Sequence, residues 1–326
     1  MLSNKIHKQR STKGILKRHL NKVNVVASTI ICLIAVVTPS LNTLNTANAL
    51  NTTNSKRSNS VKQTKFVLMS LPSAENQIYT KDNRHFVTGS NGIFELIAQS
   101  NNSATAVQRA QKQKCPFGGI AEAAGYLYVN CSTNFGTSYL YAAKLTAVPS
   151  FTKIYTYNSV SLPNGLTSDN NGRLYVASTF KNQILRLTPS AKNPLAIART
   201  ETWLNISGTF TNGIKYANDY IYWSDATTVK RAALKKDGTP DIIKNMFSSL
   251  SLSFFDDLSV DSTGILAADY TNGVIRNYDL NGRSLGTIGQ KLNGPSSVTQ
   301  ARAPFPVNSY IVTERGANQV SLITTQ

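Results

Sequence analysis

The stretch PNGLTSDNNGRLYVASTFKNQILRL, residues 163–187, contains three short strand patterns separated by two polar segments. The pair Asn164-Gly165 precedes an apolar residue, Leu166, and Asp-Asn-Asn-Gly at 169–172 is typical of a tight turn. Apolar and polar residues then alternate up to Ser178 and again from Gln183. Alternation with a period of two predicts strands, so this stretch predicts a small antiparallel sheet.

The same pattern recurs along the chain. Clear copies occupy residues 211–232 and 256–278, and weaker copies begin near residues 75, 115 and 294. Each copy has one apolar residue after its polar cluster, and these six anchors are Ile78, Ile120, Leu166, Ile214, Leu258 and Val298. Successive anchors lie 42, 46, 48, 44 and 40 residues apart. Six copies with this period predict an all-β fold, a six-bladed β-propeller, whereas a β-sandwich does not explain the repeat.

The two ends of the repeat predict how the ring closes. A strand pattern at residues 64–71 precedes the first copy, and the last copy ends after three strands near Ile323. We therefore expect the N-terminal strand to complete the last blade as its outermost strand. This arrangement removes the free edge that an open stack of sheets would leave.

The N-terminal residues predict export. Residues 1–49 contain seven basic residues and no acidic residue, an apolar run at 25–37, and Ala-Asn-Ala at 47–49. These features predict a signal peptide over 1–49, with an uncleaved anchor as the alternative because the basic region is long. Residues 50–61 are rich in Ser, Asn and Thr and predict a flexible linker, and 62–326 form the predicted propeller. We expect a periplasmic or secreted protein.

Charge and composition narrow the choice of partners. The formal net charge of +18 falls to +11 without the seven basic residues of the leader, so the charge gives little support to nucleic-acid binding. No Gly-rich phosphate loop follows a strand and opens a helix, which argues against nucleotide binding. No apolar run reaches about 18 residues, so membrane contact is expected only through the signal or an N-terminal anchor. We expect a monomer.

Few cysteines and histidines follow the leader. Cys115 precedes a predicted strand and Cys131 ends it, so in an oxidising compartment they form either a disulfide or two half-buried thiols. His85 is the one histidine after residue 49 and is expected to be structural. Trp203 and Trp223 lie in alternating strand patterns and are expected to pack between blades.

The residues just before each anchor are expected to meet at one mouth of the central channel. Several carry oxygen donors, and none is His or Cys, which favours Ca²⁺ over Zn²⁺. Taken singly, Asn-Gly also suits a turn, and an acidic residue also suits a cap or a surface. Their shared position in the repeat nevertheless predicts a Ca²⁺ site, with the candidate ligands Glu75, Asn164, Asn212, Asp256 and Asp257.

These segments resemble a known family. FDDLSVD at 255–261 is similar to the calcium-binding phrase Asp-Asn-Leu-Ser-Val-Asp of the paraoxonases. TNGI at 211–214 and PNGL at 163–166 resemble segments of their cousins, the family of senescence marker protein, gluconolactonase and strictosidine synthase. The resemblance implies a six-bladed propeller with a central Ca²⁺. It implies metal ligation by Asp256 and Asn212, then by Asn164, Asp257 and, if one residue is inserted before Ile78, Glu75.

The resemblance and the predicted site suggest two functions. The first is a Ca²⁺-dependent hydrolase of a lactone or small ester, in which the metal polarises the carbonyl and activates water. Gly118 stands where paraoxonases have a catalytic His, so the general base is expected to be Asp256 or Asp257. The alternative is a non-catalytic propeller that binds a cell-envelope polymer or protein, since the fold does not fix the reaction.

Overall fold

The computed structural model describes residues 62–133, 136–158, 162–206, 210–249, 252–289 and 291–325. The predicted leader 1–49 and the linker 50–61 lie outside the described residues. Within these ranges the strands form six antiparallel sheets of four strands each, which confirms the predicted six-bladed β-propeller. The described residues contain no helix that is both long and apolar enough to cross a membrane.

The first strand of the chain is β1 (Gln63–Ser70). Blade 1 comprises β2 (Gln77–Tyr79), β3 (His85–Gly89), β4 (Gly92–Ser100) and β5 (Ser103–Gln111). Blade 2 comprises β6 (Phe117–Ala123), β7 (Tyr126–Cys131), β8 (Ser138–Lys144) and β9 (Thr152–Tyr157). Blade 3 comprises β10 (Pro163–Ser168), β11 (Leu174–Ser178), β12 (Gln183–Pro189) and β13 (Ile197–Asn205), with a 3₁₀ turn at Thr179–Lys181.

The other three blades follow the same order from the innermost strand outward. Blade 4 comprises β14 (Thr211–Ala217), β15 (Tyr220–Asp225), β16 (Thr228–Leu234) and β17 (Pro240–Ser248). Blade 5 comprises β18 (Phe255–Val260), β19 (Ile265–Asp269), β20 (Val274–Tyr278) and β21 (Ser284–Ile288). Blade 6 comprises β22 (Pro295–Gln300), β23 (Ser309–Glu314) and β24 (Gln319–Thr325), and β1 is its fourth strand.

The N-terminal strand closes the ring as predicted. β1 pairs antiparallel with β24, with Gln63 opposite Thr325 and Ser70 opposite Gln319. The last blade is therefore built from both ends of the propeller domain. Because this pairing satisfies the backbone groups of β24, that strand has no exposed edge.

The core lies between neighbouring blades. Tyr175 and Trp203 of blade 3 pack with Ile214 and Trp223 of blade 4, which confirms the predicted inter-blade position of both tryptophans. Strands β3, β11 and β19 are buried at every residue because each has a neighbouring blade on both faces. An outer strand such as β17 is largely exposed, with Ile242 83% accessible, so its sequence pattern is weaker.

Candidate functional site

Five inner strands place their second residue at the same mouth of the channel. In each of them the pairing register with the next strand shifts at this residue, which gives a bulge that redirects the side chain. Together with Glu75 of blade 1, these residues form what we call the upper ring: Glu75, Gly118, Asn164, Asn212, Asp256 and Ser296. The repeat thus places the predicted residues of the channel mouth at equivalent positions.

Hydrogen bonds between blades show that Glu75 belongs to this ring. In four blades, a side chain near the end of the second strand donates to the main-chain carbonyl of the next blade's ring residue. These bonds are Thr88 Oγ1 to Gly118 O (2.7 Å), Asn130 Nδ2 to Asn164 O (2.9 Å), Ser224 Oγ to Asp256 O (2.6 Å) and Thr313 Oγ1 to Glu75 O (3.0 Å). Glu75 therefore occupies the same place in blade 1 as Asp256 in blade 5.

The anchor predicted for blade 1 is wrong by one residue. Gln77 pairs with Val87, as Ile120 pairs with Val129 in blade 2, so Gln77 and not Ile78 is in register with the other anchors. A polar side chain is tolerated there because its amide is satisfied: Nε2 donates to Ile311 O at 3.0 Å and Oε1 meets His85 Nε2 at 3.0 Å. Since Gln77 is the anchor, Glu75 precedes it by the usual two residues and no insertion is needed.

The next residue along each inner strand forms a lower ring. Its members are Asn76, Gly119, Gly165, Gly213, Asp257 and Ser297. The three glycines are needed because neighbouring inner strands approach closely: a Cβ at Gly165 lies 2.6 Å from Asn212 O, and one at Gly213 lies 2.6 Å from the Cα of Asp257. The Asn-Gly pairs at 164–165 and 212–213 thus reflect close packing of inner strands.

The charged side chains at the upper ring come from the neighbouring blades 5, 6 and 1. Glu75 and Asp256 are 8% and 5% exposed, and Arg315, in the turn after β23, bonds to Glu75 through Nη1 to Oε2 at 2.5 Å. The Asn212 side chain hydrogen-bonds to Asp256. We call Glu75, Asn212, Asp256 and Arg315 the upper cluster. It holds two buried carboxyl groups and one guanidinium.

Burial raises the pKa values of both acids. Desolvation is the main cause for Asp256, whose pKa lies well above its ordinary value, and the charge of Glu75 raises it further while Arg315 lowers it. The pKa of Glu75 is raised by burial, against the opposing effect of Arg315, and the charge of Asp257 raises it further. Arg315 therefore compensates the two carboxyl groups only in part, and a proton or a second cation would each relieve the remaining cost of burying them.

Asp257 of the lower ring forms an ion pair with Lys215, and the Lys215 side chain also reaches across the channel. Lys215 Nζ of blade 4 lies 2.7 Å from Asp257 Oδ2 of blade 5, and Ser297 Oγ donates to the same oxygen at 3.1 Å. Lys215 Nζ also lies 3.5 Å from Asn76 Oδ1 of blade 1, which is opposite blade 4 in a ring of six. We call Lys215, Asp257, Ser297 and Asn76 the lower cluster. It bridges the channel immediately beneath the upper cluster.

Comparisons with known proteins agree with the fold. No family model and no curated protein matches the sequence. A luciferin-regenerating enzyme matches with a TM-score of 0.62 and 12% identity, over 81% of this chain and 95% of that one. A gluconolactonase from Xanthomonas campestris matches with a TM-score of 0.60 and 13% identity, over 80% and 88%. The chain has the gluconolactonase-like propeller fold.

A third similar structure is named as a binding protein, whereas the first two are named as enzymes. An auxiliary nutrient binding protein from Bacteroides ovatus matches this propeller with a TM-score of 0.58 and 10% identity, over 81% of this chain and 76% of that one. At such identities the likenesses concern the fold alone. The chemistry of this propeller has to be argued from its own residues.

The oxygen donors of the upper ring suit a hard cation. Within the described ranges, no group of three or more His, Cys, Asp and Glu side chains is arranged to hold a metal ion. The upper ring instead offers two carboxylates and the amides of Asn164 and Asn212, a set that Ca²⁺ accepts together with water. Gly118 has no side chain, and Ser296 Oγ already donates to Ala74 O at 2.7 Å. Blade 2 therefore adds no side-chain ligand to this ring, and the hydroxyl of Ser296 is held by a main-chain carbonyl.

The predicted site residues separate into two groups. Glu75, Asn212 and Asp256 come together, and the half-buried Asn164 lies at the equivalent position of blade 3. Asp257 is directed to Lys215 in the lower cluster, although its buried Oδ1 has no hydrogen-bond partner in the described part of the chain. Two of the predicted ligands are therefore paired with a cation of the chain, Asp257 with Lys215 and Glu75 with Arg315.

Sequence reasoning missed the two cations of the site. Lys215 follows the anchor Ile214 by one residue, so its position in the repeat could have placed it beside the channel. Arg315 lies in the turn between β23 and β24, where nothing in the repeat pattern marks it. Both positions matter because the chain supplies positive charge where the sequence predicts only acids and amides.

His85 and the two cysteines contact other parts of the chain. His85 is buried, bonds to Gln77 and stacks on Tyr79 with ring centroids 4.3 Å apart, and burial lowers its pKa to about 3. The structure joins Cys115 and Cys131 in a disulfide with a Cα–Cα distance of 5.3 Å, within the usual range. This bond ties the segment before β6 to the end of β7.

Proposed function

We propose that the protein is an exported, Ca²⁺-dependent hydrolase of a lactone or other small ester. The observation that carries this proposal is the upper cluster, where two buried carboxyl groups meet an amide at one mouth of the channel. The Lys215–Asp257 bridge lies beneath it, so substrate reaches the cluster from the mouth. The signal-like leader and the disulfide support export.

The residues that would hold Ca²⁺ are Glu75, Asn164, Asn212 and Asp256. A bound Ca²⁺ supplies a Lewis acid that polarises the carbonyl of the ester. We assign to the buried carboxylate of Asp256 the removal of a proton from the attacking water. Asp257 holds Lys215 in place and thereby supports the floor of the site.

The alternative function is a non-catalytic binding propeller. One observation favours it: Arg315 is already paired with Glu75, so part of the acidic charge is neutralised by the chain itself. The similarity to an auxiliary nutrient binding protein also supports this alternative. In this alternative the upper cluster recognises a polar ligand and catalyses no reaction.

The test combines thermal unfolding with hydrolysis of a simple lactone and of p-nitrophenyl acetate. Ca²⁺ at about 100 times its dissociation constant is expected to stabilise the protein by about 2.7 kcal/mol relative to EDTA. Asp256→Asn is expected to abolish both this shift and hydrolysis. Asp261→Asn is the matched control, because Asp261 lies just beyond the far end of β18 and caps a turn with Thr263.

The outcomes separate the two functions. Stabilisation and hydrolysis that both depend on Asp256 support the hydrolase. Stabilisation by Ca²⁺ without hydrolysis of any ester or lactone supports the binding propeller. No stabilisation and no hydrolysis contradict the proposed metal site.

A further inference from the structure

Three phenylalanines line the mouth of the channel beside the upper cluster. Phe180 lies in the 3₁₀ turn after β11, Phe210 directly precedes β14, and Phe254 directly precedes β18. The ring centroids of Phe180 and Phe210 are 6.4 Å apart, and those of Phe210 and Phe254 are 6.3 Å apart. All three are half-buried. We call this row across blades 3, 4 and 5 the aromatic arc.

The arc is continuous with the proposed site. Phe210 precedes Asn212 by two residues, and Phe254 precedes Asp256 by two residues. The main chain fixes both positions: Phe210 N–H donates to Asn182 Oδ1 at 3.2 Å, and Phe254 N–H donates to Thr271 Oγ1 at 3.0 Å. A ligand whose reacting group lies at Asp256 therefore has the arc within reach of its remaining atoms.

The backbone of Phe210 holds its ring in a position that the repeat defines. Its φ is +65°, and the residues at the equivalent place in three other blades share this left-handed turn: Ser73 (+49°), Leu162 (+55°) and Gly294 (+57°). The turn belongs to the repeat, and glycine adopts it most easily. Phe210 and Leu162 are the large apolar side chains at this turn, and Phe210 is the one in contact with two further aromatic rings.

One exposed apolar side chain lies next to the arc. Leu252, two residues before Phe254, is 78% exposed, and its main-chain carbonyl accepts a hydrogen bond from Thr271. Accessible apolar side chains beside a polar cluster are the usual composition of a small-molecule site. Such a surface suits a hydrocarbon or aryl group better than a polyhydroxylated sugar.

We propose that the aromatic arc binds the apolar acyl or aryl part of the substrate, while the ester group lies at the upper cluster. This rests on the proposed hydrolase function and narrows its substrates to esters or lactones that carry an apolar chain or ring. The arc is then a specificity site. It contributes binding through burial of apolar surface, in proportion to the length of the chain.

The experiment compares p-nitrophenyl octanoate with p-nitrophenyl acetate. The wild-type protein is expected to show a KM for octanoate at least tenfold below that for acetate. Phe210→Gly is expected to remove most of this preference, because it deletes the central ring. The matched control is Ser73→Gly, which relaxes the same left-handed turn in blade 1 without removing an apolar side chain.

A second measurement is independent of catalysis. Calorimetric binding of octanoate is expected to weaken about tenfold in Phe210→Gly and to be unchanged in Ser73→Gly. If no ester is hydrolysed but this difference in octanoate affinity is found, the proposed hydrolase function is contradicted and the aromatic arc is still supported as a ligand site. Equal octanoate affinity in the wild type and Phe210→Gly, or a large loss of thermal stability in Phe210→Gly, overturns the arc as a ligand site and makes the ring part of the packing.

Discussion

The upper and lower clusters contain the same kinds of groups in different proportions. In the lower cluster one acid meets one base, and the side chains of Asp257 and Lys215 are 2% and 19% exposed. In the upper cluster two acids share one base, and the side chain of Arg315 is 46% exposed. The lower cluster is thus an internal ion pair, whereas the upper cluster keeps uncompensated acidic groups near an accessible cation. The first arrangement suits a structural bridge and the second suits a ligand site.

The largest effect is expected in the lower cluster. Lys215→Met leaves Asp257 buried without its cationic partner, and breaking one side of a buried pair costs about 3–5 kcal/mol of unfolding free energy. Urea unfolding of the purified protein measures this loss. Adding Asp257→Asn to Lys215→Met is expected to recover part of it. A loss below about 1 kcal/mol would show that the pair does little to bridge the channel.

The two adjacent aspartates are expected to respond in opposite directions to the same substitution. In EDTA at neutral pH, Asp256→Asn should stabilise the fold by roughly 1–3 kcal/mol, since it removes a carboxylate whose charge is poorly compensated. Asp257→Asn should destabilise it, since Lys215 then loses its partner. Urea unfolding of both variants, beside the wild type, provides the comparison.

The pH dependence of this difference follows from the raised pKa of Asp256. A carboxyl group whose folded pKa lies above its unfolded value binds more protons when folded, so its contribution to stability is lost as the pH rises through the folded pKa. The advantage of Asp256→Asn over the wild type should therefore grow as the pH rises from the ordinary pKa of an aspartate through the folded pKa of Asp256, and shrink on acidification. An advantage that is constant with pH would contradict the assignment of the shift to Asp256.

The repeat predicted the fold and the upper ring because both depend on local pattern. Alternation and turn residues specify each blade, and the ring residues share one place in the repeat, so Asn212 and Asp256 could be identified from spacing alone. Blade 1 was the exception, since the buried polar Gln77 replaces an apolar anchor and its amide Nε2 is satisfied by the distant Ile311 carbonyl. No local pattern reports such a long-range hydrogen bond.

The division of the site into two clusters could not be predicted from the sequence. Asp256 and Asp257 are adjacent, and only the bulge at the start of β18 directs one to the upper ring and the other to Lys215. Arg315 reaches Glu75 across 240 residues of sequence. A turn residue of blade 6 becomes a neighbour of blade 1 only because the ring closes.

The smallest expected effect concerns the competition between Arg315 and a bound metal. Arg315→Gln removes the guanidinium paired with Glu75, so Ca²⁺ faces one less positive charge and gains a free carboxylate oxygen. Calorimetric titration should show Ca²⁺ binding about tenfold more tightly, which corresponds to about 1.4 kcal/mol. Arg302→Gln is the control for net charge, because Arg302 lies over the ring of Tyr79 in the connection between β22 and β23, at the other end of blade 6. Weaker Ca²⁺ binding in Arg315→Gln would mean that the guanidinium orders Glu75 for the metal. In that case the upper cluster would resemble the lower one, as a fixed assembly in which each charge holds its neighbour.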